Sequence, residues 1–92
     1  MNEASQRANN IRKEIVYILY TIRGEGGKLL PETIHRKMVQ NGHRFTYLDV
    51  EREFQYLVDA EMITADDVEG TTDTLYRITA KGVKVYEQHY AV

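Results

Sequence analysis

The stretch that decides the fold covers residues 45–57 and reads FTYLDVEREFQYL. It begins with a helix start signal, because Thr46 is an N-cap candidate and Asp49, three residues later, supplies an acidic variant of the capping box. Phe45 and Val50 stand at the spacing of a hydrophobic staple around this cap. The stretch therefore predicts an amphipathic helix, and its apolar face comprises Val50, Phe54, Leu57 and Val58.

The residues that follow this helix predict a β-hairpin and a last helix. Residues 62–64 are interpreted as a strand, and the polar residues 65–73 as a loop. Residues 74–78, TLYRI, are rich in β-forming side chains and predict the returning strand of a hairpin. Thr79 is placed to cap a last helix, whose inner face comprises Val83, Tyr86 and Tyr90.

A first helix is predicted near the beginning of the sequence. Apolar residues recur at helical spacing from Ile11 to Ile22, and the glycines between Gly24 and Gly27 end the pattern. Residues 1–10 are polar and lack core signals, so they are interpreted either as a flexible arm or as an extension of this helix.

A second helix is predicted between the first helix and the deciding stretch. Pro31 suits its first position, where the missing N–H costs nothing, and Gly42 suits a left-handed cap at its end. Residues 28–30, just before it, are compatible with an edge strand. The four helices and the hairpin share one predicted core, which comprises Ile15, Ile18, Ile22, Ile34, Met38, Val50, Phe54, Leu57, Ile63 and Ile78.

The order of these elements resembles the winged helix-turn-helix family, particularly the MarR- and PadR-type regulators. Two stretches carry the resemblance: residues 45–57, and residues 75–82, LYRITAKG, which look like a second wing strand that runs into the last helix. The resemblance extends over about residues 11–90.

The resemblance implies a mainly α fold of the α+β class. Three helices are followed by a two-stranded β-hairpin wing and a C-terminal helix, and the winged helix domain covers residues 11–92. The recognition helix would be residues 46–60 and the wing tip residues 65–73. One departure lies at residues 59–61, Asp-Ala-Glu, where the family commonly has a glycine before the strand.

Composition limits the class of protein. The 92 residues predict one small domain, and the absence of cysteine excludes disulfides and thiolate metal sites and is typical of a reducing compartment. No apolar run approaches the length of a membrane helix, and no signal peptide is recognised. We therefore expect a cytoplasmic protein, of a kind that fits a prokaryotic or phage genome.

No constellation of residues predicts catalysis. The three histidines, His35, His43 and His89, lack metal-ligand spacing, so no metal site is expected. The glycines at 24–27 lack the lysine and hydroxyl residue of a phosphate-binding loop. We predict a protein that is not an enzyme and has no cofactor.

Charge is distributed unevenly along the chain and leaves two function hypotheses open. Residues 1–44 carry eight basic and four acidic side chains, whereas residues 45–73 carry one basic and nine acidic side chains. The family resemblance implies that the third helix enters the major groove of double-stranded DNA and that the wing reaches phosphates. The candidate DNA-binding residues are Arg36, Lys37, His43, Arg44, Tyr47, Arg52, Gln55 and Arg77.

The second hypothesis follows from the acidic third helix and wing. Carboxylates crowded on one face repel a phosphate backbone and suit a basic protein partner, or imitate DNA to block a DNA-binding protein. The chain would then be a protein–protein interaction module or a DNA mimic. The candidate residues of this acidic face are Asp49, Glu51, Glu53, Asp66, Asp67 and Glu69.

A homodimer is also predicted. Val16, Tyr17 and Tyr20 are expected opposite the inner face of the first helix, and Val85 on the last helix is expected to face away from the core. Tyrosine is enriched at interfaces, and the family resemblance implies dimerisation through the terminal helices. The alternative is that the N-terminal arm or the C-terminal helix of the same chain covers these side chains.

Overall fold

The computed structural model describes residues 3–24 and 26–91 and is mainly helical, with one two-stranded antiparallel sheet. The coarse α+β class is confirmed. None of the described helices is long and apolar enough to cross a membrane. The elements are α1 (Glu3–Thr21), α2 (Pro31–Gln40), α3 (Tyr47–Asp59), β1 (Ile63–Asp67), β2 (Thr74–Ile78), α4 (Ala80–Val85) and a five-residue π-helical turn (Tyr86–Tyr90).

Helix α1 is longer than its apolar pattern. It begins at Glu3, so the described residues 3–10 continue the helix, as in the helix-extension alternative. The side chains described before Ile11 are mostly exposed, which explains why the sequence there carries no core signal. This N-terminal part of α1 lies near α3, as the contacts of Arg7 with Asp49 and Phe45 demonstrate.

The predicted helix boundaries of α2 and α3 are confirmed. Pro31 is the first residue of α2, and Gly42, with φ of 90°, follows its end. At the start of α3, the backbone N–H of Asp49 donates to Thr46 Oγ1 at 3.1 Å, and the backbone N–H of Thr46 donates to Asp49 Oδ2 at 3.1 Å. The capping box is therefore complete, and it satisfies two N–H groups that the helix itself leaves unpaired.

The hairpin pairs Ile63 with Ile78 and Asp67 with Thr74. The predicted loop over residues 65–73 is therefore too long, because the ladder continues to Asp67 in spite of the acidic side chains. On the other edge of β2, Leu29 and Tyr76 exchange two backbone hydrogen bonds at 3.0 and 2.9 Å. The predicted edge strand is thus a single bridge.

The turn between α3 and β1 is held by the start of α4. Glu61 has φ of 62° and is the non-glycine residue with positive φ in the described chain. Thr79 Oγ1 donates to the carbonyl of Glu61 at 2.6 Å, and the backbone N–H of Thr79 donates to the carbonyl of Met62 at 3.0 Å. A Cβ on Gly82 would overlap the Met62 carbonyl and lie 2.7 Å from Ile78 Cγ1, so this close approach requires glycine.

The core contains nine of the ten predicted residues, and Ile11, Val16, Leu19 and Met62 are buried in it as well. Ile22 is only half-buried, because it lies beyond the end of α1 at Thr21. Val16, which was expected on the surface, is fully buried, so this prediction is wrong. Helix α1 contacts α2, α3, β2, α4 and the π-helical turn, and these neighbours cover more of its circumference than one apolar stripe.

Candidate nucleic-acid interface

One flank of α3 faces α1 and carries two ion pairs. Arg7 Nη2 lies 2.9 Å from Asp49 Oδ2, and Arg12 Nε lies 2.8 Å from Glu53 Oε1. Asp49 and Glu53 are four residues apart and therefore share one side of the helix, one turn from each other. We call these four residues the paired flank.

The ion pairs of the paired flank place a guanidinium beside each of its two carboxylates. Arg7, followed by the hydrogen bonds from Thr46, lowers the pKa of Asp49 from 3.8 to about 2. The side chains of Arg12 and Glu53 are 24% and 14% exposed, and the Arg12 guanidinium also lies 3.6 Å from the ring centroid of Tyr56. The negative charges of Asp49 and Glu53 are therefore compensated by arginines of the same chain.

The outward side of α3 is less acidic than its sequence suggests. Arg52 and Gln55 are exposed there, and Gln55 Nε2 donates to Asp59 Oδ1 at 2.8 Å. Arg36 on α2 and Arg44 before α3 are also exposed. None of these three arginines forms a salt bridge with a carboxylate in residues 3–24 or 26–91.

Two of the candidate DNA-binding residues face α1 instead. His43 stacks on Phe45 with ring centroids 5.4 Å apart, and its Nε2 lies 3.2 Å from Glu14 Oε2. Lys37 lines a shallow cavity together with Tyr17 of α1. The structure does not bring these two side chains together with Arg52, because both lie where α2 and its following turn meet α1.

Arg77 is also separated from Arg52, by the sheet itself. Its neighbour Tyr76 stacks on Phe54 of α3 with ring centroids 4.3 Å apart. Because successive side chains of a strand point to opposite faces, Arg77 lies on the sheet face that points away from α3. Lys28 and Asp66 form a salt bridge of 3.1 Å on that same face.

Tyr47 faces a groove between α3 and the hairpin. Its ring meets His35 edge-on, with centroids 6.0 Å apart. Burial, followed by the hydrogen bond with Glu51, raises the pKa of Tyr47 from 10.0 to about 12. The hydroxyl therefore stays protonated and acts as a donor at neutral pH.

The groove beside Tyr47 is acidic. It has a volume of about 190 Å³, and Glu32, Glu51 and Asp73 line it together with Tyr47 and Tyr76. No described lysine or arginine forms a salt bridge with these three carboxylates. We call this the acidic groove. The sequence does not group Glu32 with Glu51 and Asp73, because only the packing of α2 and the hairpin against α3 brings the three together.

The acidic face predicted from the sequence is divided among different surfaces. Asp49 and Glu53 belong to the paired flank, Glu51 belongs to the acidic groove, and Asp66 pairs on the outer sheet face. Asp67 Oδ1 accepts a hydrogen bond from Thr74 at 3.2 Å, and Glu69 is exposed in the hairpin loop.

The predicted dimer residues meet the C-terminal end of their own chain. Tyr20 lies 4.2 Å from Tyr86 between ring centroids, and its hydroxyl donates to Glu87 Oε2 at 2.8 Å. Val85 is half-buried against the core, and Tyr17 remains 40% exposed. The alternative in which the C-terminal helix covers this part of α1 therefore describes Tyr20 correctly.

The described residues contain no group of three or more acidic or histidine side chains placed to hold a metal ion. His35 Nε2 lies 2.7 Å from the carbonyl oxygen of Phe45, which gives this histidine a structural partner. No family model matches the chain, and neither curated proteins nor solved structures give a significant match.

Proposed function

We propose that the chain is a winged helix domain that associates with duplex DNA in transcription regulation and carries out no catalysis. The arrangement of α2 and α3, followed at once by a β-hairpin, supports this proposal. In helix-turn-helix proteins, the second helix of such a pair enters the major groove. Here that helix is α3, and Arg36, Arg44 and Arg52 are exposed on α2, the connecting turn and α3.

The observation that carries the proposal is the paired flank. An unpaired Asp49 and Glu53 would add two negative charges beside the helix that approaches DNA, and repulsion acts over a Debye length of about 8 Å at physiological salt. Arg7 and Arg12 compensate both charges at 2.9 and 2.8 Å. The outward side of α3 can then present Arg52 and Gln55 to a phosphate or a base edge.

Binding to mixed-sequence duplex DNA over a salt series tests this proposal. We expect affinity that rises as salt falls, because cations of the protein release counterions from the phosphates. The Arg52→Ala variant should bind more weakly, with a salt slope that is smaller by about one unit. The control is Lys84→Ala, which removes an exposed cation of α4 and should leave the slope unchanged.

Two results would overturn the proposal. The first is a wild-type protein that binds no duplex even at about 50 mM salt, where electrostatic binding is strong. The second is equal weakening by Arg52→Ala and Lys84→Ala, since diffuse charge attraction would then replace docking through α3.

The acidic groove favours a second candidate function, recognition of a basic protein partner. Three carboxylates and two tyrosines in one concave site suit a lysine or arginine side chain. The triple variant Glu32→Gln, Glu51→Gln, Asp73→Asn separates the two functions. A DNA-binding protein should bind duplex more tightly after this change, whereas a protein-binding module should associate more slowly with a lysine-rich peptide.

A homodimer and a cytoplasmic location stay predictions. Tyr17 is now the exposed aromatic residue of α1 that motivates the dimer. Sedimentation at about 50 µM protein should give twice the chain mass if the dimer forms with micromolar affinity. A single-chain mass at every concentration would contradict it.

A further inference from the structure

Arg12 is held in place by two contacts at once. Its Nε lies 2.8 Å from Glu53 Oε1, and its guanidinium carbon lies 3.6 Å from the ring centroid of Tyr56. Glu53 and Tyr56 both belong to α3, so the guanidinium is fixed on the flank of that helix. Reaching toward a phosphate would require Arg12 to give up both contacts.

The Arg12–Glu53 ion pair is partly buried, so the loss of either charge would leave the other without compensation in a poorly solvated place. The side chain of Glu53 is 14% exposed and that of Arg12 is 24% exposed, whereas that of Arg7 is 51% exposed. Partly buried charges are screened by salt much less than exposed ones. An uncompensated Glu53 would therefore act on an approaching phosphate backbone more strongly than a solvated surface carboxylate.

We propose that Arg12 is a positioning residue for DNA association: it sets the affinity of α3 for duplex DNA by compensating Glu53 and does not contact DNA. This inference rests on the proposed function. Arg7 acts on Asp49 in the same sense, with a smaller effect, because its side chain is more exposed.

A double-mutant cycle tests the inference. The variants are Arg12→Gln, Glu53→Gln and their combination, each measured for duplex affinity at about 100 mM salt, where the Debye length is about 10 Å. The matched control is Arg23→Gln. Arg23 also lies over a tyrosine, at 3.8 Å from the ring centroid of Tyr20, and it forms no described salt bridge with a carboxylate of α3. Arg12→Lys keeps the charge and serves as the conservative variant.

The cycle has a distinctive expected result. Arg12→Gln should weaken binding about fivefold, which corresponds to about 1 kcal/mol. Adding Glu53→Gln should restore affinity to within about twofold of the wild type, which corresponds to a difference in binding free energy of about 0.4 kcal/mol. Arg12→Lys and Arg23→Gln should remain close to the wild type. Because removal of the Glu53 charge would also rescue a purely structural loss, the urea unfolding of each variant is measured beside its affinity, and the inference requires that Arg12→Gln weakens binding while the protein is fully folded.

The outcomes distinguish the inference from the proposed function. If the wild type binds duplex and the double variant is as weak as Arg12→Gln, then Arg12 contacts DNA directly and the inference is overturned alone. If Arg23→Gln weakens binding as much as Arg12→Gln, general positive charge on the protein accounts for both and the inference also fails. If the wild type binds no duplex, both statements fall together.

Discussion

The side of α3 that faces α1 and the side that faces the hairpin both carry carboxylates, but the partners of these carboxylates differ. On the α1 side, Asp49 and Glu53 are each within 2.9 Å of an arginine nitrogen. On the hairpin side, Glu51 shares the acidic groove with two further carboxylates, and none of the three has a described salt-bridge partner. The carboxylates on one side of α3 are therefore paired with arginines, whereas Glu51 on the other side keeps its negative charge without such a partner.

This difference teaches that charge counted along a sequence is not charge on a surface. Residues 45–73 hold nine carboxylates and one arginine. Asp49, Glu53 and Asp66 of that segment pair with cations of residues 1–44. Folding thus places basic side chains of residues 1–44 against part of this acidic segment, and three of its six other carboxylates, Asp67, Glu69 and Asp73, lie in the hairpin.

The largest effect is expected from removal of Phe54, whose ring lies between the α1 side and the hairpin side of α3. It is 2% exposed and stacks on Tyr76 of β2, so it holds the hairpin against α3. Phe54→Ala should lower the free energy of unfolding by about 3–5 kcal/mol through the cavity it leaves. The measurement is urea denaturation followed by circular dichroism.

The control for Phe54→Ala is Leu48→Ala on the same helix. Leu48 is 53% exposed, and its replacement should change stability by less than about 0.5 kcal/mol. A loss below about 1 kcal/mol for Phe54→Ala would contradict the packing of the ring between α3 and β2.

A smaller loss of stability is expected from a change near the C-terminal end of α3, where Gly82 of α4 packs against Met62. Gly82→Ala should destabilise the fold by about 1–3 kcal/mol, because the added Cβ overlaps the Met62 carbonyl and Ile78. Gly24→Ala is the matched control, since a Cβ there meets nothing within 4 Å. Equal effects of the two changes in thermal denaturation would refute the close approach of α4.

Glu61 provides a change of opposite sign in the same turn. Its φ of 62° is unfavourable for a side chain with a Cβ but not for glycine. Glu61→Gly should raise the free energy of unfolding by about 0.5–1 kcal/mol, since relief of strain exceeds the greater freedom of glycine in the unfolded chain. A destabilised variant would contradict the left-handed conformation.

The smallest effects are changes of stability with pH, and they differ between the α1 side and the hairpin side of α3. The pKa of Asp49 is lowered from 3.8 to about 2, so its stabilising contribution is complete above about pH 4 and is lost as pH falls toward 2. The difference in stability between the wild type and Arg7→Gln should therefore shrink over that interval. A difference that does not change with pH would exclude the ion pair as its source.

The side of α3 that carries the acidic groove should respond at the other end of the pH scale. The pKa of Tyr47 is raised from 10.0 to about 12, so its contribution is present below pH 10 and is lost as pH rises toward 12. The wild type should lose stability relative to Tyr47→Phe over that interval. Parallel profiles of the two proteins would contradict the raised pKa of Tyr47.

The sequence predicts the parts of the fold that depend on near neighbours. The capping box of Thr46 and Asp49 and the strand at residues 74–78 follow from residues a few positions apart, and the structure confirms them. Val16 was predicted wrongly, because its burial depends on how many elements surround α1. The length of β1 depends on its partner strand, which overrides the acidic side chains.

The candidate site is predictable only in part for the same reason. The exposure of Arg52 and Gln55 follows from helical spacing, and the structure confirms it. The partners of Asp49 and Glu53 lie 42 and 41 residues away in sequence, and their identity depends on the angle at which α1 crosses α3. That angle cannot be predicted from a pattern of neighbouring residues.

The covering of α1 by the C-terminal turn has a consequence for the order of folding during synthesis. Tyr20 leaves the ribosome long before Glu87, its hydrogen-bond partner 67 residues later. Arg7 and Arg12 likewise emerge well before the carboxylates that neutralise them. The nascent α1 therefore lacks these partners, and its contacts with α3 and with the last turn can form only late in synthesis.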